Sequence, residues 1–297
     1  MRFAKGHGTE NDFVILLDPG NSQGLTAGLA ARLCDRRAGI GGDGVLRAVR
    51  TARRAECAPG AGGGADEAPE SGAGAGADRP EWFMDYRNAD GSPAEMCGNG
   101  IRVFARYLAQ HGLVAGPEFT VASRSGPRRV RLGANGDVTV EMGSVAVLGP
   151  GSAVIGGRAY PGLRVSVGNP HLACLVDAPL AGLDLSRAPH LDPGEFPEGG
   201  NVELVQVTGP ASVAMRVHER GSGETRSCGT GAVAAAAAVA NGSDGTWDVR
   251  VPGGDLKVTL DEGRAWLTGP AIIVAEGELD AAWLAAGNQA IADTPAR

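Results

Sequence analysis

Two stretches decide the reading of this chain: MDYRNADGSPAEMCGNGIRVFAR (84–106) and MRVHERGSGETRSCGTGAVAAAA (215–237). Each runs from an alternating apolar segment through a polar loop to Cys-Gly-x-Gly, and then into helical spacing. Cys97 and Cys228 stand 131 residues apart, and nine positions before them stand Asn88 and Glu219. An internal match of this length marks a duplicated unit. Two related halves set their equivalent cysteines about a pseudo-twofold axis, and the natural site is the cleft between the halves.

The chemistry follows from where the cysteines sit. After Cys97, residues Ile101, Phe104, Ala105 and Leu108 share one helix face, with Gly112 suited to end the helix. After Cys228 comes GAVAAAAAVANG (231–242), so small and apolar that it predicts a buried helix. Asn99 and Thr230 suit the N-caps. A helix start carries unpaired N–H groups and partial positive charge. A thiol there is expected to have a lowered pKa, and a carboxylate there is held by the free amides. Two such ends facing each other form a device for stereoinversion. One thiolate removes a proton from the carbon beside the carboxylate, and the opposite thiol delivers one from the other face. The helix ends stabilise the charge that moves onto the carboxylate.

Bland readings stand beside this one. Cysteine is among the most buried residue types, so each Cys-Gly-x-Gly also reads as a tight helix start. Asn169 before Pro170 and Asn11 read as turn formers. Asn201 follows two glycines and tolerates left-handed backbone. Glu219-Arg220 reads as a solvated ion pair, and His171 as a satisfied structural histidine. A thiol redox switch or a binding module without turnover is the alternative from another functional class.

The length of 297 residues suggests two domains, and 43% hydrophobic with 21% charged residues describes a soluble globular chain. The net charge of −7 and the lack of a strongly basic stretch argue against a nucleic-acid partner; the densest run, Arg124, Arg128, Arg129 and Arg131, reads as a solvated strand edge or loop. The early apolar run Phe13 to Leu17 is too short for a signal core or a membrane span, so no membrane association and a cytoplasmic location are expected. Five scattered cysteines make no disulfide framework and no zinc pattern. The Gly/Ala-rich block 55–80, which contains Cys57, reads as a flexible insertion. GIGGDG (39–44) lacks the Lys-Ser/Thr of a phosphate-binding loop. Strands are expected at DFVILLD, WFMDYRN, PEFTVAS, RRVRLG, DVTVEMG, LRVSVGN, LACLVD, VELVQV, SVAMRVHER, WDVRVPGG, LKVTL and AWLTG, and a helix at 26–34. The fold class is therefore α/β (α+β). Its two similar halves are 1–145, to which 272–290 is expected to return, and 146–271.

These residues resemble the diaminopimelate epimerase family, most closely its actinobacterial form. The resemblance is carried by KGHGTENDFV (5–14), CDRRAGIGGDG (34–44), WFMDYRNADGSPAEMCGNGIRVFARYL (82–108), VGNPHLA (167–173), FPEGGNVE (196–203), VHERGSGETRSCGTGA (217–232) and VPGGDLKV (251–258). It implies two pseudo-symmetric domains, each a curved mixed sheet around a central helix, with the active site between them. It implies a homodimer and a cofactor-independent isomerase interconverting LL- and meso-2,6-diaminopimelate, a step in lysine and peptidoglycan precursor biosynthesis. Carried over residue by residue, it makes Cys97 and Cys228 the acid–base pair. It assigns the reacting carboxylate to the backbone amides of Gly98-Asn99 and Gly229-Thr230. It assigns substrate binding to Asn11, Asn88, Asn169, Asn201, Glu219 and Arg220, and thiol tuning to His171 and Glu219. Many family members carry Gln where this chain has Gly44, so Gly44 is left out of the site. The alternative within this chemistry is a related racemase or epimerase of another amino acid, of the proline or hydroxyproline type.

Overall fold

The computed structural model describes residues 1–53 and 80–292. The expected insertion 55–80 therefore lies, apart from Pro80, outside the described residues. The first half builds strands β1 (Arg2–Gly8), β2 (Asn11–Leu17), β3 (Gly44–Arg50), β4 (Trp82–Asn88), β5 (Glu118–Ser123), β6 (Gly126–Leu132) and β7 (Asp137–Ser144), with helices α1 (Ala27–Cys34) and α2 (Gly98–Gln110). The second half builds β8 (Ala146–Ile155), β9 (Arg158–Ser166), β10 (Pro170–Leu175), β11 (His190–Leu191), β12 (Asn201–Gly209), β13 (Ser212–Glu219), β14 (Gly223–Thr225), helix α3 (Gly229–Ala240), β15 (Gly245–Val251), β16 (Gly254–Asp261) and β17 (Arg264–Pro270). The chain closes with β18 (Ile272–Glu278) and α4 (Ala281–Ala292).

Hydrogen bonding connects the strands in one path. In the first half it runs β18-β1-β2-β3-β4-β5-β6-β7. The antiparallel pair β7–β17 then carries it into the second half, where it continues β17-β16-β15-β13-β12-β10-β9-β8. The pairs β2–β3, β4–β5, β10–β12 and β13–β15 are parallel and the others on this path antiparallel, so the sheet is mixed. The last strand returns to the first: β18 pairs antiparallel with β1, and Arg32 of α1 donates to the Trp283 carbonyl of α4 at 2.7 Å.

Each half of this sheet curls around one helix. The first wraps α2, whose Ile101, Val103, Phe104 and Leu108 are fully buried. Burying a side chain such as Phe104 is worth roughly 1.5–3 kcal/mol over leaving it exposed. The sequence predicts one apolar face, but the helix is buried on nearly every side, Arg102 included. Enclosure by a curled sheet leaves no solvent face. Helix α3 meets the same enclosure with alanines, and Ala232 through Ala238 are all buried. Alanine has the highest helix propensity and lets the surrounding strands close in.

The repeat is visible in three dimensions. The strand β4, a polar loop, Cys97 and α2 correspond to β13, a polar loop, Cys228 and α3. The caps differ from the sequence expectation. Cys97 and Cys228 themselves are the N-caps, each extended (φ −140°, ψ 117° and φ −124°, ψ 118°), while Asn99 and Thr230 lie inside the first turn. The Cys97 carbonyl accepts from Ile101 N and the Cys228 carbonyl from Ala232 N, both at 2.9 Å, which places the first helical turn one residue after each cysteine.

Candidate active site

The two helix starts meet. A Cβ on Gly229 would lie 3.3 Å from Gly98 Cα and 2.9 Å from the Leu267 side chain, so a larger residue would push the ends apart. Both cysteine sulfurs accept a helix amide, Cys97 from Gly100 N and Cys228 from Gly231 N, each at 3.3 Å. They open on a cleft of about 740 Å³. Of the residues the sequence nominated, Asn11, Asn88, Cys97, Gly98, Asn99, Asn169, Asn201, Glu219, Arg220, Cys228, Gly229 and Thr230 line it. His171 does not. It is wholly buried behind Asn169, with Nε2 donating to Asn169 Oδ1 at 3.0 Å and Nδ1 against Glu203 Oε1 at 2.7 Å.

The surroundings of the two thiols differ. The Cys97 thiol donates to Asn11 Oδ1 at 3.6 Å. The Cys228 sulfur lies 3.5 Å from Thr230 Oγ1, and the Glu219 charge acts on it. Glu219 accepts from Thr225 Oγ1. The sequence predicts thiols of lowered pKa, and the closed environment reverses this. Burial pushes Cys97 up to about 11, against the pull of the Gly100 amide, and the Glu219 charge pushes the same way. Burial, then the charges of Glu219 and Glu203, carry Cys228 well above the ordinary thiol range. Desolvation of the thiolate outweighs the helix ends. Burial likewise raises Glu219 above the usual carboxylate value. Both cysteines are thus thiols at neutral pH, with a carboxylate of raised proton affinity beside Cys228.

The distal end of the cleft is built by backbone as much as by side chains. Asn201 Oδ1 accepts from Arg220 N at 2.9 Å and its Nδ2 donates to the Pro170 carbonyl at 3.2 Å, so its amide fixes the Arg220 main chain. The Arg220 guanidinium donates to the Glu198 carbonyl at 3.2 Å and is partly exposed toward the cleft. Asn169 Nδ2 donates to Thr230 Oγ1 at 3.4 Å.

A buried polar chain ties the halves together beneath the cysteines. Thr9 Oγ1 and Ser227 Oγ are 2.6 Å apart, Asn99 Nδ2 reaches the Ser227 carbonyl at 3.1 Å, and Arg102 Nη2 donates to Thr9 Oγ1 at 3.3 Å. Sequence reasoning missed Arg102, Ser227 and Glu203. A charged residue on the buried side of a predicted helix and an acid inside an apolar strand (NVELV) were the available signals. It also missed Tyr86, which lines the cleft near Cys97 and Glu219. The Tyr86 ring fills the space over Gly44, where a Cβ would lie 2.6 Å from its Cε2 and 2.5 Å from the Arg87 carbonyl. That is why this chain has no room for a side chain at position 44. The other cysteines of the described residues, Cys34 and Cys174, are buried in the core, and Cys57 lies outside the described residues. Among the described residues no cluster of three His, Cys, Asp or Glu could hold a metal ion, and no helix is long and apolar enough to cross a membrane.

Solved structures place the architecture. A probable proline racemase from Agrobacterium radiobacter K84, with bound carbonate, matches with a TM-score of 0.63 over 94% of this chain and 93% of that one, at 14% identity. A phenazine biosynthesis protein of the PhzF family from Bacillus anthracis matches with a TM-score of 0.60 over 94% of this chain and 99% of its own, at 16% identity. The fold is the one shared by racemases, epimerases and PhzF-type proteins, with helix-centred halves about a cleft. Within it, the diaminopimelate epimerase family model matches residues 3–148 and 163–278. A diaminopimelate epimerase from Thermobifida fusca (strain YX) is 57% identical over 280 residues, covering 94% of this chain and 98% of that protein. The chain belongs to the diaminopimelate epimerase family.

Proposed function

We propose that this protein interconverts LL- and meso-2,6-diaminopimelate without a cofactor, using Cys97 and Cys228 as the two bases. The observation that carries the reading is the meeting of two cysteine-capped helix starts in one cleft, in a chain of this family. The substrate's reacting carboxylate lies against the amides of Gly98-Asn99 and Gly229-Thr230. One cysteine, as thiolate, takes the α-hydrogen as a proton. The C–H bonding pair moves into the carboxylate, where the helix-start amides stabilise the charge. The other cysteine, as thiol, gives its proton to the opposite face of the carbon. The product leaves with the stereocentre inverted and the thiol and thiolate exchanged between the cysteines.

Because both thiols have high proton affinity, a base must accept one of their protons when substrate binds. Glu219, beside Cys228 and itself raised by burial, is the group suited to do so. His171, held by Glu203, sets the Asn169 amide and so tunes this end. At the far end of the substrate, the Arg220 guanidinium binds the second carboxylate, and Asn88, Asn169 and Asn201 frame the second amino group. A site of this kind rejects amino acids that lack the second head group, since its buried polar groups would stay unpaired.

We read the chain as two units, 1–145 with 272–290 and 146–271, supported by the pairing of β18 with β1. We further read the protein as cytoplasmic and homodimeric, as its biosynthetic reaction and its family suggest. Incubation of the reduced protein with LL-diaminopimelate in D₂O tests the reaction. Deuterium at the α-carbon with formation of the meso isomer is expected, and no exchange would overturn the reading.

A further inference from the structure

The glycine-rich segment 39–44 has one functional side chain, Asp43, and the phosphate-loop reading leaves it without a role. In the fold this segment runs tight against β2 and β4, with Asp43 N donating to the Asp12 carbonyl at 2.7 Å. That approach brings the Asp43 carboxylate to the rim of the cleft. Its Oδ2 accepts from Asn11 Nδ2 at 2.7 Å and from Asp12 N at 3.2 Å, while Oδ1 accepts from Arg36 Nη2 at 2.8 Å. Arg36 in turn is clamped by Asp12, whose carboxyl Arg36 and Lys5 hold well below the usual range despite its burial.

A carboxylate only accepts, so the Asn11 group facing Asp43 must be the NH₂. The Asn11 oxygen is then turned the other way. There it accepts from the Cys97 thiol at 3.6 Å and from Asn99 Nδ2 at 3.2 Å. Three neighbours therefore agree on one orientation of a side chain that would otherwise have two. The choice matters, because an amide oxygen toward sulfur favours the thiol, whereas an amide N–H toward sulfur favours the thiolate. Cys97 is also faced by Glu219, Arg102 and Tyr86, and the substitutions below leave all three in place.

We propose that Asp43 is a positioning residue: it locks the Asn11 amide with its oxygen toward Cys97 and so favours the thiol form of Cys97 in the free enzyme. At Cys228 the corresponding neighbour is a hydroxyl, Thr230 Oγ1 at 3.5 Å, in place of an asparagine oxygen.

The inference rests on Cys97 being one of the acid–base pair, and its test separates the two ideas. Asp43→Asn frees the Asn11 amide to turn. In Asp43→Asn, kcat is expected to fall about tenfold with KM little changed, since the loss is one of orientation at the reacting group. Alkylation of Cys97 by iodoacetamide at fixed pH, read by peptide mass spectrometry, is expected to speed up about threefold relative to Cys228 as thiolate becomes more accessible. The same change made in an Asn11→Ala background should be silent for Cys97 alkylation, because Asp43 acts through Asn11. An unchanged Cys97:Cys228 alkylation ratio in Asp43→Asn, or an equal shift in the Asn11→Ala background, would overturn the proposal. The alkylation readout needs no turnover, so absence of α-deuteration by the wild type would sink the epimerase reading, while an unchanged alkylation ratio in an active enzyme would sink the role of Asp43 alone.

Discussion

The two cysteine-capped helix starts share a backbone and differ in what surrounds the sulfur. Cys97 faces a neutral amide, that of Asn11, held by Asp43. Cys228 faces Glu219, with Glu203 and His171 behind it. Duplication supplied the symmetry that a stereoinversion requires, namely an acid–base group on each face of the carbon. The loops and strands around each helix then diverged: Asn88 and Ala89 in the first half stand where Glu219 and Arg220 stand in the second. The pairing of like thiols comes from the repeat, whereas the unlike proton environments come from side chains contributed by different strands.

The largest expected effect tests whether the two cysteines are equivalent. Cys97→Ala and Cys228→Ala should each lower epimerisation at least about a thousandfold, the upper part of the range for a lost acid–base group, with circular dichroism unchanged. Each variant should still exchange the α-hydrogen of one stereoisomer only, and of opposite stereoisomers for the two variants. Full epimerisation by either variant would end the two-base assignment.

Next comes the residue that breaks the symmetry at the distal end. Arg220→Lys keeps the charge and loses the planar fork, so kcat/KM should drop about ten- to a hundredfold. Near-normal steady-state kinetics would remove Arg220 from the distal carboxylate.

A smaller effect compares the first turns of α2 and α3. A Cβ at Gly231 would stand 2.8 Å from Glu203 Oε1, whereas one at Gly100 would stand 3.3 Å from Leu46 Cδ2. Gly231→Ala should cost about 1–3 kcal/mol in urea denaturation, the usual range for overpacking. Gly100→Ala should cost less. Equal losses would mean that the buried carboxylate gives way as easily as a leucine methyl.

The smallest effect concerns acid. Asp85, wholly buried in the first half, would be raised by burial alone, but Arg124, Arg87 and Arg47 outweigh that and hold it below the ordinary carboxylate value. A depressed folded-state pKa contributes stability above the unfolded value, near 4, that is lost as pH falls through the folded one. Stability should therefore decline below about pH 4, with exchange protection of β3 and β4 lost before that of β12 and β13. A flat profile between pH 5 and 3 would contradict this.

How far the sequence could be read depended on whether a signal was local. The strands of β4 and β13 announce themselves by alternation, and the two helices by Cys-Gly-x-Gly and the apolar run behind it. Strand β8 was missed because Gly149 (φ +113°) and Pro150 interrupt it where the register shifts. Strand β3 was missed because GVLRAVR carries Arg47, which looks solvent-facing until Asp85 and Asp18 are brought to it inside the fold. The helix starts lie two residues earlier than residue type suggests: Asn99 and Thr230 look like caps, yet the cysteines hold that place.

The repeat, the cysteine pair and the burial of the alanine-rich helix are legible in residue type and spacing along the chain, and the polar set around the cleft in the resemblance those residues carry. The state of the thiols, the orientation of Asn11, the withdrawal of His171 behind Asn169 and the joining of the halves through β7 and β17 emerge only in the folded chain. These depend on desolvation and on partners far apart in sequence. A helix start alone favours a thiolate; a helix start enclosed by the curled sheet, with the Glu219 charge near both sulfurs, does not.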